Sequence, residues 1–465
     1  MNVDYKILLE SLGSLPEGWE DMAKEYGAME RATGVIKTPA QLLWNIFHYL
    51  CKGKSFRGTK GALESHGIQK ISDVALWKRF RKARRWLEAL CKGVCFQAGF
   101  IIEKPEYLAR YIRVLLVDAT KEVTCAEDMK QYLLHCCVNL FTLALGEHHL
   151  TGQEVGEKLT NFNEFRAGDL VVGDRAYSSG KGIAHVRKHD ADFLLRVRAK
   201  AITFFNENKE KLDLLKELSH LKPGEYADIS AIIFIKGESV KVRLCARRKD
   251  EKSEKDGLKK MKRRNSRKQR NGVSETEKGY NRYIIVVTSV GPEASAAQLL
   301  DLYRARWQIE LVFKRLKSLF KYSALPANMK LDDSVKAWFT GKLLLACLSV
   351  AMVYAGRFPK DNEPREADYP LPPPERQSLW REMAQAGRKI ENILFGWLGD
   401  LKDKEPSLED KELSSKEKEL SLEEKERELE ERKASLKKFL KRISHCCRDS
   451  KRKRVPQLCK LFSSA

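Results

Sequence analysis

Leu302-Tyr-Arg-Ala-Arg-Trp-Gln-Ile-Glu-Leu-Val-Phe-Lys-Arg-Leu-Lys317 is the stretch on which the reading of this chain turns. Within it, Tyr303, Arg306, Glu310 and Lys317 stand at offsets 0, 3, 7 and 14. At about 100° per helical residue they fall inside a wedge of roughly 60°. Leu302, Ile309, Val312, Phe313, Leu316 and Leu319 gather on the other side. The spacing predicts one helix, from about Pro292 to Phe320, that buries an apolar face. Its polar face carries a phenol, two cations and a carboxylate. Arg306 and Glu310 are an i,i+4 pair, so the stripe alone is also what a salt-bridged surface would show.

Two further carboxylates change the balance. Arg113-Val-Leu-Leu-Val-Asp118 reads as a buried strand ending in an acid, and so does Asp169-Leu-Val-Val-Gly-Asp174. A single strand-end aspartate is usually a cap or a turn residue. Asp118, Asp174 and Glu310 in this order can converge at one edge of an α/β sheet. Three such carboxylates can hold two Mg²⁺ ions about 3.5–4 Å apart, because Mg²⁺ is a hard ion that takes oxygen ligands. Beside them, Tyr303, Arg306 and Lys317 suit phosphate. Trp307 borders the stripe and is expected to pack in the core.

Around these acids the periodicity alternates. Tyr132–Leu140 and Phe141–Leu145 read as two further strands, 153–166 as a helix, Gly182–Lys188 as a helix and Ala191–Arg196 as a strand. This order suggests an RNase H-like α/β layer. Tyr226–Lys236, Val240–Arg248 and Arg282–Val290 interrupt it with more strand. Between the last two, residues 249–279 are poor in apolar side chains, and eight of the twelve residues from Lys259 to Arg270 are basic. That segment is expected to be a loop, either tracking a DNA backbone or simply solvated.

The first hundred residues read as helical. Thr38-Pro39 starts one helix and Ser72 caps another. The second carries Lys78, Arg79, Arg81, Lys82, Arg84 and Arg85. A short helix, a glycine-containing turn and this basic helix look like a helix-turn-helix DNA-binding unit. Residues 335–357 form an apolar helix that should close a core. Asn362–Pro374 reads as a linker. Beyond it, Leu422, Leu429, Leu436 and Ile443 recur every seven residues in a charged helix, a candidate dimer element. The domain plan is therefore 1–105, helical and DNA-binding; 106–200, first half of the core; 201–290, a β-strand insertion with its basic loop at 249–279; 291–358, second half of the core; and 359–465, linker and charged helices.

Composition agrees with a polyanionic partner. The chain has 465 residues, with 87 Lys plus Arg against 64 Asp plus Glu and a net charge of +23. No stretch approaches 18 uninterrupted apolar residues, so no membrane span is expected, and the N-terminus has no signal-peptide character. Eleven cysteines, mostly in apolar segments, fit reduced thiols rather than zinc ligands. A cytoplasmic, nucleoid-associated protein of a bacterium or archaeon is expected.

The order Asp118, Asp174, Glu310, with Tyr303-x2-Arg306-x3-Glu310-x6-Lys317, resembles the DDE transposases of the IS4 insertion-sequence family, including the Tn5-type enzymes. The resemblance covers roughly residues 110–350. It implies an RNase H-like core split by a β-strand insertion, and cut-and-paste transposition through nicking, hairpin formation and strand transfer. Asp118, Asp174 and Glu310 would then ligate two Mg²⁺ ions, with Mn²⁺ able to substitute. Tyr303, Arg306, Lys317, Arg196 and Arg198 would contact DNA. The DNA partners implied are the terminal inverted repeats and the target, bound by a homodimer in a synaptic complex. Such enzymes stack a flipped base on an insertion-domain tryptophan. Here there is no Trp between Arg175 and Arg306, and Tyr283 takes about the matching place. A catalytically silent DNA-binding regulator and a nuclease without transposition are the alternatives.

Overall fold

The computed structural model describes residues 15–357 apart from short internal stretches, together with Leu9 and residues 386, 387 and 390. The linker, the heptad leucines and the basic tail expected after residue 358 lie outside the described residues. What is described forms two compact units. One is helical and takes residues up to 100 and from 313 onward. The other is α/β and takes residues 101–121 and 132–312.

The helical unit contains α1 (Trp19–Glu25), α2 (Pro39–Cys51), α3 (Phe56–Ser65), α4 (Asp73–Lys82), α5 (Arg84–Gln97) and α12 (Asp332–Arg357). Aromatic residues build its core. The Tyr49 ring stacks on Phe56 at 4.0 Å and meets Phe80 and Trp338 edge-on at 5.2 and 5.5 Å. Ser72 caps α4 as its sequence predicts, its Oγ accepting from the Ala75 amide at 3.1 Å. The basic helix is shorter than expected, because it breaks at Ala83 and leaves Arg84 and Arg85 on α5. α12 is long and apolar enough to cross a membrane, but most of it is buried within the structure, where it packs against α2, α4 and α5. Gly341 permits that packing, since a Cβ there would meet Leu50 Cδ1 at 2.5 Å.

The α/β unit holds one eight-stranded sheet. Its strands are β1 (Arg113–Val123), β2 (Gln131–Asn139), β3 (Leu145–Gly152), β4 (Asp169–Gly173), β5 (Asp192–Arg196), β6 (Tyr226–Ile235), β7 (Glu238–Arg248) and β8 (Tyr283–Thr288). The spatial order is β3-β2-β1-β4-β5-β8-β7-β6. β1, β4 and β5 are parallel, whereas β8, β7 and β6 continue the sheet antiparallel. A mixed sheet with a parallel centre is in keeping with the RNase H-like layer. The strands expected as an insertion extend this same sheet.

Between them run α6 (Gly180–Lys188), α7 (Leu214–Glu217), α8 (Glu251–Arg267), α9 (Glu275–Asn281), α10 (Ala296–Ala305) and α11 (Trp307–Leu319). Ile183 and Val186 of α6 join Leu115, Val117, Val171, Phe193 and Leu195 in one buried cluster. By strand alternation, residues 114, 116 and 118 of β1 point to the opposite face.

Several elements differ from the sequence reading. Phe141–Leu145 is not a strand. Asn139 Oδ1 and Thr142 Oγ1 accept from the Phe141 and Ala144 amides at 3.1 and 3.2 Å, making a turn before β3. Residues 153–166 are not a helix but two 3₁₀ turns, Gln153–Val155 and Leu159–Asn161, separated by Gly156 at φ 68°. The basic segment 249–279 is not a loop, for it contains α8 and α9. Its charges support helix rather than oppose it: Glu251 and Lys255 pair at i,i+4 (3.5 Å), and Ser274 with Glu277 forms a capping box. Finally, the single helix expected over 292–320 is two, α10 and α11, which meet at Arg306.

Candidate active site at the edge of the parallel strands

The register of the parallel strands places the two aspartates. Val117 pairs with Gly173, and Gly173 with Leu195. The next residues on the three strands are Asp118, Asp174 and Arg196. They share the carboxyl edge of the sheet, where open α/β sheets bind ligands. Strand neighbours lie about 4.8 Å apart, so Asp118 and Asp174 are adjacent. Asp118 does not end its strand, as the sequence suggested; β1 runs on to Val123 after β4 has stopped. Gly173 keeps the edge tight, since a Cβ there would lie 3.0 Å from Leu195 and 3.2 Å from Val117.

The helix pair closes over this edge through Arg306. Its guanidinium donates to Asp118 Oδ2 at 2.9 Å and to Glu310 Oε1 at 2.6 Å. Arg306 and Asp118 keep only 14% and 16% of their side chains exposed, so this is a mostly desolvated contact. Burial pushes the Asp118 carboxyl up to about 7. Arg306 and the Ala119 amide oppose that rise, while Asp174 and Glu310 add to it. Burial alone would lower the Arg306 pKa, but Tyr303, Asp118 and Glu310 overcome it and raise it above the usual value. The Asp174 carboxylate is fixed by the Ala176 amide, which donates to Oδ1 at 2.7 Å.

Arg306 thus bonds two carboxylates, Asp118 and Glu310, and the charge of Asp174 also acts on Asp118. The family whose sequence model matches residues 112–348 is described as the transposase DDE domain, and the match spans all three acids. The chain belongs to the DDE transposases. It is similar to the putative transposase of insertion sequence element IS186A from Escherichia coli (strain K12), 28% identical over 351 residues, which cover 74% of this chain and 92% of that one. The transposase of IS421 from Escherichia coli is 26% identical with the same coverage. The transposase of IS231B from Bacillus thuringiensis subsp. berliner is 29% identical over 178 residues, 34% of this chain and 36% of that one. The family read from Asp118, Asp174 and the Tyr303–Lys317 spacing is therefore the right one.

As a DDE transposase the protein acts on DNA with the help of a divalent metal ion. The donors fit such an ion in kind, being hard carboxylate oxygens whose mutual repulsion a cation would relieve. Among the described residues no three carboxylates are grouped closely enough to hold a metal ion, and Arg306 pairs with both Asp118 and Glu310.

The other residues expected at the site are distributed unevenly. Tyr303 is buried, 8% exposed, with its ring 5.9 Å from the Arg306 guanidinium carbon. Lys317 lies about two turns past Glu310 on α11 and is exposed. Arg196 is half-buried and its Nε has no hydrogen-bond partner among the described residues. Arg198 is exposed two residues beyond it. Tyr283 does not meet the stacking expectation. Its ring is 4% exposed and covered by the Arg248 guanidinium at 5.1 Å, and its hydroxyl donates to the Leu218 carbonyl at 2.9 Å. Trp307 is the reverse case: expected in the core, it is 50% exposed.

The six cations of the N-terminal helices split as well. Lys78, Lys82 and Arg85 are exposed. Arg81 covers the Trp77 ring at 5.2 Å, Lys82 reaches Glu30 at 3.8 Å, and Arg84 pairs with Glu88 and Asp333 at 3.5 and 3.6 Å. Arg79 is half-buried, and burial lowers its pKa.

Two neighbours of the acids were not foreseen. The Glu157 carboxyl is raised by burial and by Asp174, with Lys121 opposing. Tyr177 is fully buried, and its hydroxyl, within the fields of Asp118, Glu157 and Asp174, has no hydrogen-bond partner among the described residues. The helix expected over 153–166 hid Glu157; a glycine followed by an acid was its only signal. Around the second aspartate lies a cationic group. Arg175, whose surface stays open to solvent, is pushed down to about 10 by desolvation and by Arg196. Lys249 is pushed down to about 8 by burial and by Arg196 and Arg175.

Proposed function

We propose that this transposase cuts DNA at the ends of an insertion sequence and joins the freed ends to target DNA. The carrying observation is the register Val117–Gly173, which sets Asp118 beside Asp174, together with the Arg306 bridge from Asp118 to Glu310. Asp118, Asp174 and Glu310 would hold two Mg²⁺ ions, with Mn²⁺ able to replace them. When bound, such ions would supply an acidified water and charge for the leaving oxygen.

The chain's own groups position the phosphate. Arg306 is the counter-ion of Asp118 and Glu310 in the absence of DNA. A phosphate beside it would draw the guanidinium away and release both carboxylates. Lys317, Arg196 and Arg198 add positive charge along the backbone. Tyr303, being buried, orients Arg306 rather than touching DNA. In the first step water adds to phosphorus at the element end and the 3′-oxygen leaves as a hydroxyl. That hydroxyl then attacks the phosphodiester of the opposite strand, making a hairpin and releasing the flanking DNA with a 3′-hydroxyl. A second water opens the hairpin and restores the element's 3′-hydroxyl, which then attacks the target strand and displaces a 3′-oxygen there. An unpaired base in the hairpin needs an aromatic face. Exposed Trp307, next to Arg306, offers one, whereas buried Tyr283 does not. The N-terminal helices, through Lys78, Lys82 and Arg85, would read the element end, and two protomers would pair the two ends in a homodimer.

The test is to incubate the purified protein with Mg²⁺ and duplex DNA bearing the terminal inverted repeats. Nicks at the repeat, followed by hairpin ends, are expected. Tight binding without nicks would identify a silent regulator, and nicks without joining a plain nuclease.

A further inference from the structure

The basic helix α8 is not accounted for by the site above. Lys260, Arg263, Arg264 and Arg267 occupy its positions i, i+3, i+4 and i+7, which form one stripe. The four line a single open cavity of about 450 Å³. All are exposed, and none pairs with a carboxylate among the described residues. The acidic half of the helix anchors it instead. Glu254 pairs with Arg282 and Arg248 at 3.3 and 3.7 Å, and its carbonyl accepts from Asn281 Nδ2 at 2.8 Å. Leu258 and Met261 are half-buried. The fold thus holds four mutually repelling cations together on a fixed helix, an arrangement that solubility does not require.

The stripe also has a direction. Arg264 stands close enough to Arg175 to act on its charge, and Arg175 is the residue after Asp174. Arg175 in turn neighbours Arg196, whose buried Nε has no hydrogen-bond partner among the described residues. Cations therefore run from the carboxylate edge out along α8.

We propose that the α8 stripe, with Arg175 and Arg196, is a phosphate track that holds the sugar–phosphate backbone of DNA as it leads away from the bond being cut. This rests on the reading of Asp118, Asp174 and Glu310 as the reacting centre. Residues 260–267 span about 10 Å of helix. One strand of duplex presents a phosphate about every 3.4 Å of axis, so the stripe matches about three phosphates. Contacts of this kind position DNA without reading its sequence.

The experiment measures binding of the full-length protein to a fluorescein-labelled duplex of arbitrary sequence, without metal, across a salt series. Each phosphate contact contributes about 0.9 to the slope of log affinity against log salt. Changing Lys260, Arg263, Arg264 and Arg267 together to Ala should reduce that slope by about 2–3 and weaken binding at low salt at least tenfold. A second variant, with Lys260→Arg and the three arginines changed to Lys, should keep the parent slope. An unchanged slope in the alanine variant would overturn the proposal. So would a charge-keeping variant as weak as the alanine one, or competition by polyglutamate as effective as by DNA. The binding readout does not involve cleavage. Failure of the active-centre reading would appear separately, as normal nicking by Asp118→Asn.

Discussion

In the parallel centre of the sheet, β4 buries all five of its residues and β5 buries all but its ends, and the charged residues of these two strands stand at their ends. In the antiparallel wing, β6 alternates between exposed and covered positions, and its neighbour β7 leads into a helix that carries the stripe Lys260, Arg263, Arg264 and Arg267. The centre tolerates few polar groups: Asp169 is buried against Arg113, whereas Asp118 and Asp174 stand at the edge where the proposed chemistry would be concentrated. The wing has one face free for charge, so its polar residues would serve recognition. The difference separates the reaction from the grip: changes in the centre should abolish turnover and spare binding, and changes in the wing should do the opposite.

The largest effect expected is at the centre. Asp118→Asn should lower the nicking rate about a thousandfold, about 4 kcal/mol of transition-state stabilisation, with the duplex affinity little changed. Equal losses of affinity and rate would erase the distinction between the two regions. Next comes a wing residue with a structural role. Tyr283→Ala removes a buried ring and its bond to the Leu218 carbonyl, and should cost about 3 kcal/mol of stability in a denaturant titration. A variant as stable as the parent but unable to make hairpins would restore the stacking role to Tyr283. Smaller still is Trp307→Ala. The exposed indole should be worth roughly tenfold in the hairpin step, within the ~1–3 kcal/mol that base–aromatic stacking supplies. Nicking and stability should stay close to those of the parent. Unaltered hairpin yield would remove Trp307 from the account.

The same contrast explains what was legible in the sequence. Val114–Val117 and Leu170–Val172 are apolar on both faces, a pattern that buried parallel strands produce and few other elements imitate. The acids after them stand out as candidates only because Asp118, Asp174 and Glu310 come in that order, the last with Tyr303, Arg306 and Lys317 on its face. The Tyr303–Lys317 spacing pointed to the family, yet it concealed the break at Arg306, since a helix that turns slightly keeps its i,i+3 and i,i+4 neighbours. Trp307 was misplaced for that reason: on a straight helix it borders the apolar face, whereas at the start of a new helix it faces solvent. The wing was read least well. A run rich in Lys and Arg looks like loop on composition, and it takes the Glu251–Lys255 pair and the tertiary anchors of Glu254 on Arg248 and Arg282 to hold it as helix. Glu157 was overlooked because Gly156 before it is a weak mark for a residue that approaches Asp174 through the fold.

The central claim is that Asp118, Asp174 and Glu310 act as one reacting centre that closes when Arg306 exchanges its carboxylates for phosphate. The most direct measurement is single-turnover nicking of terminal-repeat DNA in Mg²⁺ by Glu310→Gln, beside its duplex binding without metal. The account predicts binding within about twofold of the parent and nicking at least a hundredfold slower, about 2.7 kcal/mol. Nicking at the parent rate would contradict it.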